Sequence, residues 1–297
     1  MRPRISIVIP TIEEQAVFSV IKRLRELIDN PEIIIVDKSG NEYYRKLKDT
    51  GCRVIRQKDK GVESAIMQGL RAARGDILAS IDADGTHDPD GIVKGMQIVD
   101  EGKADLVLGN RFGKQAKGAM PSYIRLGNEA LSKIYSRAYK NRVHDVLTGL
   151  FVMNRKAFES IKDVEPYRAG IAFFAIELAN RGYKIAEVPI SYGKREHGTS
   201  KLAKSKLLYG LGVSGHMIRY ARDYSPLLIF GSIGAVLIIG GIVLGILVLL
   251  SFMSAGVLTE PGRALIAFML VTIGFLSIIA GLIIDLLLQI SRKIEKM

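Results

Sequence analysis

The stretch that decides the fold is Asp76-Ile77-Leu78-Ala79-Ser80-Ile81-Asp82-Ala83-Asp84, an apolar run that leads directly into two acidic residues. Residues 76–81 predict a buried β-strand. Asp82 and Asp84 then lie where that strand ends, and open α/β sheets bind ligands outside the carboxyl ends of their strands. Two neighbouring carboxylates suit a hard divalent cation, which shares its oxygen ligands with substrate phosphates. The stretch therefore predicts a metal site for a phosphorylated substrate, with a solvated acidic turn as the alternative.

Short apolar strands alternate with amphipathic helices over residues 4–110. The predicted strands are Ile5–Ile9, Ile33–Val36, Arg53–Arg56, Asp76–Ile81 and Ala104–Leu108. The predicted helices are Glu13–Ile28, Glu63–Ala73 and Asp90–Val99. This alternation favours an α/β fold with a mostly parallel sheet covered on both faces.

Acidic side chains follow three of these strands. The first strand leads into Pro10-Thr11-Ile12-Glu13-Glu14, the second into Asp37, and the fourth into Asp82 and Asp84. The carboxyl ends of parallel strands share one edge of the sheet, so we expect these groups to converge on a crevice for a nucleotide. Taken singly, each is also compatible with a helix cap or a turn.

The C-terminal part of the chain is strongly apolar. No charged residue occurs over 224–259 or over 264–284, and each run exceeds the roughly 20 residues that span a bilayer. We expect a transmembrane hairpin over 224–297, with spans at about 227–251 and 264–288. A buried helical hairpin of a soluble protein is the alternative.

Basic residues flank the hairpin on both sides: Lys201, Lys204, Lys206, Arg219, Arg222, Arg292, Lys293 and Lys296. The positive-inside rule then makes the N-terminal domain and both termini cytoplasmic, in a cell membrane or an ER-type membrane. Apolar and basic residues over 201–223 predict an amphipathic juxtamembrane helix in the interface. The expected organisation is a cytoplasmic domain over 1–200, this helix, and the hairpin.

The formal net charge is +12, which is compatible with nucleic acid, anionic lipid or phosphorylated partners. Because the basic residues gather at the membrane boundary, we expect membrane lipid and no nucleic acid as a partner. Cys52 is the only cysteine, which excludes a disulfide framework. Met1–Arg4 lead directly into a strand, so no signal peptide is expected.

Nine motifs in order over residues 5–205 resemble those of one enzyme family. They are Pro10-Thr11-x-Glu13-Glu14, Val36-Asp37, Lys60-Gly61 through Gly69, Arg74-Gly75-Asp76, Asp82-Ala83-Asp84 with His87 and Pro89, Gly109-Asn110-Arg111, Arg125-x-x-Asn128, Asp145-x-x-Thr148-Gly149, and Arg195-x-x-Gly198-x-Ser200-Lys201. The chain resembles the family-2 glycosyltransferases of the GT-A (Rossmann-like) fold. More narrowly, it is similar to the dolichyl-phosphate and polyprenyl-phosphate sugar synthases, which include the dolichyl-phosphate mannose synthases.

The resemblance implies a role for each group of residues. The nucleotide sugar would contact Pro10, Glu13, Asp37, Lys60, Asp82 and Asp84. Asp82 and Asp84 would hold Mg²⁺ or Mn²⁺. The acceptor phosphate would contact Arg111, Arg125, Arg195, Ser200 and Lys201. The residues implied to act in catalysis are Asp84, Arg111, Arg125, Arg195 and Lys201.

The implied reaction is the inverting, metal-dependent transfer of one hexose from a nucleotide sugar to dolichyl or polyprenyl phosphate, for glycan assembly. A phosphate monoester is largely dianionic at pH 7, so it can attack without a general base, and Asp145 is expected to order the acceptor loop. The donors considered are UDP-glucose, UDP-N-acetylglucosamine and GDP-mannose. A UDP-sugar is favoured because the departures from the family pattern, Lys38 and Gly85-Thr86, lie at the donor strand ends.

Two other functions compete with this one. A processive polysaccharide synthase shares the fold and the paired Asp, but it normally carries a Gln-x-x-Arg-Trp motif, and this chain has no Trp. A non-catalytic membrane scaffold or lipid carrier could retain a transferase domain, and loss of Asp84 or Arg195 would favour it. Glycines in the apolar spans are compatible with homo-oligomerisation.

Overall fold

The structure is a computed structural model that describes residues 3–116, 118–139, 141–166, 171–195, 226–257 and 261–294. The chain divides into two compact units, Met1–Ser214 and Gly215–Met297.

The first unit is built around one seven-stranded sheet. Its strands are β1 (Ile5–Thr11), β2 (Glu32–Asp37), β3 (Arg53–Arg56), β4 (Ile77–Ser80), β5 (Leu106–Gln115), β6 (Phe151–Asn154) and β7 (Ile185–Tyr192). Its helices are α1 (Val17–Leu27), α2 (Asn41–Lys48), α3 (Val62–Ala72), α4 (Asp90–Asp100), α5 (Ser122–Tyr139), α6 (Arg155–Glu159) and α7 (Ala172–Asn180). The strand order is β3-β2-β1-β4-β6-β5-β7.

The predicted mostly parallel sheet is confirmed. The β1, β2, β3 and β4 pairings are parallel, as is the β5–β7 pairing, while β6 is antiparallel to both of its neighbours. All four residues of β4 are buried, and so are most residues of β1 and β2. Strands covered on both faces need continuous apolar runs, which is why their sequences do not alternate between apolar and polar residues.

The first two connections differ from the prediction. Helix α1 begins at Val17 rather than Glu13, because Glu13 adopts a left-handed φ of 45° and its backbone N–H donates to Ser39 Oγ at 2.6 Å. The loop between β1 and α1 is thereby tied to the loop after β2. Helix α2 was not predicted, since only Tyr43 and Leu47 in its eight residues are buried.

The antiparallel strand β6 places its preceding loop beside the paired aspartates. Ser80 on β4 pairs with Phe151 on β6, and continuing this register by two residues sets Asp82 opposite Gly149. A Cβ atom built on Gly149 would collide with the Asp82 carboxylate. Glycine is therefore required at residue 149 if Asp82 is to keep its position.

The second unit contains two long helices, α8 (Pro226–Ala255) and α9 (Pro261–Ile294). Segments Phe230–Ser254 and Pro261–Leu287 are long and apolar enough to cross a membrane, judged by length and composition. The helices pack closely at Gly234 and Gly274, where a Cβ atom on Gly234 would lie 2.5 Å from the Gly274 carbonyl oxygen. The amphipathic helix expected over 201–223 lies outside the described residues.

Candidate active site

A cluster of possible metal ligands follows β4. Asp82, Asp84 and His87 each offer one ligand atom, and these atoms lie within 4.8 Å of one another. Asp84 Oδ1 accepts hydrogen bonds from the Thr86 backbone N–H at 3.1 Å and from Thr86 Oγ1 at 2.7 Å, and Gly85 between them has a φ of 72°. Gly85 and Thr86, which depart from the family pattern, therefore form the turn that fixes the Asp84 carboxylate.

His87 is a member of this cluster that sequence reasoning did not assign to the metal. Its side chain is buried, with Nδ1 3.5 Å from Asp82 Oδ2 and 3.2 Å from Thr86 Oγ1, while Nε2 has no hydrogen-bond partner among the described residues. Burial lowers the pKa of His87, which favours the neutral imidazole that ligates metals. The sequence signal that could have pointed to His87 as a metal ligand is its position three residues after Asp84 in the same loop.

The donor set fits a divalent cation. Burial raises the pKa of Asp82, against the opposing influence of His87, so the carboxylate gains from a cation that compensates its charge. Two carboxylates suit Mg²⁺ or Mn²⁺, and an added imidazole is compatible with Mn²⁺. The residues that would hold the cation are Asp82 and Asp84, with His87 beside them.

Arg195 joins this cluster to the loop after β1. Its Nη2 atom lies 3.1 Å from Asp84 Oδ2 and 3.2 Å from Glu14 Oε2. Its Nε and Nη1 atoms are buried and have no hydrogen-bond partner within the described ranges. The guanidinium thus keeps donors available for a further anion while it holds two carboxylates.

Arg111 forms a buried ion pair with Asp145. Arg111 Nε lies 2.6 Å from Asp145 Oδ2, Nη2 lies 2.8 Å from Oδ1, and Nη2 also donates to the Leu147 carbonyl at 3.0 Å. Burial alone lowers the pKa of Arg111, but the Asp145 carboxylate outweighs it and the pKa is raised. These contacts give Arg111 a role in ordering the loop, and its contact with acceptor phosphate stays a prediction.

The loop that carries Asp145 is held from two further sides. Glu187 Oε1 on β7 accepts from the backbone N–H groups of His144 and Asp145, both at 2.8 Å. Ser132 Oγ on α5 accepts from the Val146 N–H at 3.1 Å. This agrees with the expected ordering role of Asp145 and explains how Gly149 is kept against Asp82.

Asp37 is fully buried at the end of β2. Its Oδ1 atom accepts from the Ser39 backbone N–H at 3.0 Å and from Ser39 Oγ, and its Oδ2 atom lies 3.1 Å from Arg56 Nη1. Arg56 in turn stacks over the Tyr44 ring at 3.9 Å. Sequence reasoning missed Arg56, although the parallel pairing of β2 with β3 sets it directly beside Asp37.

The remaining predicted site residues are more scattered. Pro10 is half-buried near the end of β1, and Lys60 is exposed in the loop before α3. Arg125 is exposed on α5, where Nε lies 2.8 Å from Glu129 Oε1. Within the described residues, no ion pair joins Lys60 or Arg125 to the aspartate cluster. Ser200 and Lys201 lie outside the described residues.

Comparison with known proteins identifies the family. The model of glycosyl transferase family 2 matches residues 6–162. The chain belongs to this family. It is therefore a glycosyltransferase, and the family resemblance drawn from the motifs is confirmed.

Two relatives of this glycosyltransferase carry lipid-phosphate names. A dolichyl-phosphate hexose transferase of Haloferax volcanii is 33% identical over 192 residues, covering 64% of this chain and 82% of the relative. A dolichol-phosphate mannosyltransferase of Pyrococcus furiosus is 27% identical over 224 residues, covering 69% of this chain and 61% of the relative. The glycosyltransferase thus spans less than two thirds of the second relative's length.

The solved structures support the fold. Glucosyl-3-phosphoglycerate synthase from Mycobacterium tuberculosis, in complex with Mn²⁺, UDP and phosphoglyceric acid, has a TM-score of 0.55 and 22% identity, covering 73% of this chain and 78% of that one. At this identity the likeness concerns the fold alone, and it confirms the predicted GT-A architecture.

Proposed function

We propose that this glycosyltransferase moves one hexose from a nucleotide sugar to dolichyl or polyprenyl phosphate. The observation that carries the proposal is the 3.1 Å contact between Arg195 Nη2 and Asp84 Oδ2. This contact places the Arg195 guanidinium, which suits an acceptor phosphate, next to the Asp84 carboxylate, which suits the metal of the donor. The names of the Haloferax and Pyrococcus relatives support the same substrate classes.

On the donor side, the nucleotide sugar binds at the carboxyl ends of β1, β2 and β4, with Pro10, Glu13 and Asp37 toward the nucleoside and Lys60 as a further contact of the nucleotide sugar. Asp82 and Asp84 hold Mg²⁺ or Mn²⁺, which when bound compensates the negative charge of the diphosphate leaving group. Mn²⁺ accompanies UDP in the structurally similar synthase. We favour a UDP-sugar over GDP-mannose, because Lys38 and Gly85-Thr86 depart from the family pattern at the donor strand ends.

On the acceptor side, the lipid phosphate is its own nucleophile. Its oxygen forms the new bond to the anomeric carbon as the bond to the nucleoside diphosphate breaks, and no proton has to be removed first. Arg195, Arg111 and Arg125, together with Ser200 and Lys201, position the phosphate and compensate its charge. A single displacement inverts the anomeric centre, so an α-linked donor gives a β-linked product.

The apolar helices supply the membrane link in this proposal. Helices α8 and α9 form a transmembrane hairpin within residues 224–297, and the catalytic domain at 1–200 is joined to it in sequence by the juxtamembrane segment 201–223, which lies outside the described residues. The flanking basic residues orient the domain and both termini toward the cytoplasm.

A donor screen tests the proposed reaction. Detergent-purified full-length protein is incubated with dolichyl phosphate and Mg²⁺ or Mn²⁺, and separately with labelled UDP-glucose, UDP-N-acetylglucosamine and GDP-mannose. We expect label to enter the lipid phase from one donor, and Asp84→Asn to abolish most of that transfer. Lys103→Gln, an exposed change in the loop after α4, serves as the control and should transfer normally.

The same screen separates the competing functions. No transfer from any donor by a folded protein contradicts the proposal and favours the non-catalytic scaffold or lipid carrier. Products that carry many sugars in place of one favour a processive polysaccharide synthase.

A further inference from the structure

Glu14 is a buried acid at the active edge of the sheet that the proposed reaction leaves without a role. Its side chain is 11% exposed, and its Oε2 atom lies 3.2 Å from Arg195 Nη2. We propose that Glu14 is a positioning residue that holds Arg195 in place for the acceptor phosphate. This inference rests on the proposed function, because it assigns Arg195 to the lipid phosphate.

Arg195 contacts two carboxylates, and Glu14 supplies one of them. Arg195 Nη2 lies between the Glu14 and Asp84 carboxylates, while the Nε and Nη1 donors of the same guanidinium remain without a hydrogen-bond partner among the described residues. Buried donors without a partner are costly, so a phosphate that accepts from them is strongly favoured. One edge of Arg195 is thus anchored while its other donors are available for an anion.

Glu14 and Asp84 are not equivalent anchors. A cation held by Asp84 would repel the Arg195 guanidinium, which lies 3.1 Å from the same carboxylate. Glu14 stands outside the cluster of Asp82, Asp84 and His87, so it can remain the acidic partner of Arg195 when that cluster is occupied. The acceptor arginine therefore depends on Glu14 most strongly in the state that carries metal and donor.

The local structure keeps Glu14 rigid. The Tyr43 hydroxyl on α2 donates to the Glu14 backbone carbonyl, and Glu14 O also accepts from the Val17 N–H at 3.3 Å at the start of α1. Burial raises the pKa of Tyr43 to about 12, so this donor keeps its proton at neutral pH. A fixed backbone lets the carboxylate hold Arg195 with little loss of conformational entropy.

The decisive readout is the difference between the two substrates. We expect Glu14→Gln, which keeps the side-chain shape, to raise the KM for lipid phosphate about tenfold, the loss typical of one charge-assisted hydrogen bond. The KM for the nucleotide sugar and the melting temperature of the free protein should not change. Gln15→Ala, an exposed change at the next residue, is the matched control and should alter neither KM.

A double-variant cycle tests whether Glu14 acts through Arg195. We expect Glu14→Gln added to Arg195→Lys to raise the KM for lipid phosphate little further, because the anchored guanidinium is already gone. Binding of a short-chain prenyl phosphate, measured by calorimetry with metal and nucleoside diphosphate present, should weaken in Glu14→Gln and stay normal in Gln15→Ala.

Three results overturn the inference. An unchanged KM and an unchanged binding affinity in Glu14→Gln exclude a positioning role. An equal rise in both KM values, or additive effects in the double variant, also contradicts it. Wild-type protein that neither transfers sugar nor binds prenyl phosphate removes the proposed function itself, which distinguishes that failure from failure at Glu14.

Discussion

Arg111 and Asp145 form a bidentate ion pair almost completely removed from water, with Nε–Oδ2 and Nη2–Oδ1 distances of 2.6 and 2.8 Å and side-chain exposures of 9% and 0%. The pair ties the middle of β5, which carries Arg111, to the loop that precedes β6. Because that loop also carries Gly149, the pair controls the surroundings of Asp82.

Removing one partner of this pair should destabilise the N-terminal domain. Asp145→Asn leaves the buried Arg111 charge uncompensated, and we expect the free energy of unfolding to fall by about 3–5 kcal/mol. Denaturant unfolding of the detergent-solubilised protein measures the change. Glu42→Gln, which breaks an exposed pair with Lys46, should cost less than about 1 kcal/mol. Equal effects of the two changes would contradict the structural role of the Arg111–Asp145 pair.

Gly149 should be required for metal binding. An alanine Cβ atom would collide with the Asp82 carboxylate, so Gly149→Ala should displace that carboxylate and weaken Mn²⁺ binding by about tenfold or more. Electron paramagnetic resonance of free Mn²⁺ measures the affinity. Gly127→Ala on α5, where the added Cβ meets no described residue beyond its own helix within 4 Å, is the control. Normal Mn²⁺ affinity in folded Gly149→Ala protein would remove Asp82 from the metal site.

Arg195 should affect metal affinity and sugar transfer in opposite directions. Its positive charge lies 3.1 Å from Asp84 and repels a cation bound there. Arg195→Gln should therefore raise the Mn²⁺ affinity of the donor-free protein, by about tenfold at the effective dielectric of a partly buried site. Transfer to lipid phosphate should fall at the same time. Weaker Mn²⁺ binding in this variant would mean that Arg195 organises the metal ligands rather than opposing the cation.

The close packing of α8 and α9 should depend on Gly234. A larger side chain there meets the backbone of Gly274, so Gly234→Leu should separate the helices and cost about 1–3 kcal/mol, as overpacking usually does. Gly240→Leu should be tolerated, because an added Cβ there meets no atom of the described residues within 4 Å apart from its own helix. Thermal stability of the full-length protein in detergent measures both changes. Equal tolerance of the two leucines would contradict the packing.

The sequence predicted β1, β2 and β4 well because these buried parallel strands are largely apolar runs. The prediction placed β3 at Arg53–Arg56, as the structure has it, and put the acidic residues at the correct strand ends. It missed β6, a four-residue strand whose antiparallel direction comes from tertiary pairing, and β7, which pairs in parallel with β5. It also placed the start of α1 too early, because the left-handed Glu13 and its contact with Ser39 are not encoded by helical periodicity.

In the candidate site, too, features that depend on a short stretch of sequence were easier to predict than features that depend on tertiary pairing. Asp82 and Asp84 could be predicted as metal ligands because the chemistry of paired carboxylates is visible in one short stretch. Arg56 was not predicted, and Glu14 was noted only as an acidic residue after the first strand, since the contacts of both with their partners come from pairing between distant segments. His87 lay within a quoted motif, but its approach to Asp82 depends on burial against β7, where its ring meets Tyr192 edge-on at 5.3 Å.

The most direct test of the account compares two lipid acceptors that differ only in the phosphate. Full-length protein with its preferred labelled nucleotide sugar and Mn²⁺ is given either a polyprenyl phosphate or the corresponding polyprenol, and the lipid products are identified by mass spectrometry. We predict a polyprenyl phosphate that carries one hexose, and no product from the alcohol, because a dianionic phosphate attacks without loss of a proton and gains from the arginines of the site, whereas a hydroxyl must lose its proton. Transfer to the alcohol, or release of free hexose with neither lipid modified, would contradict the account.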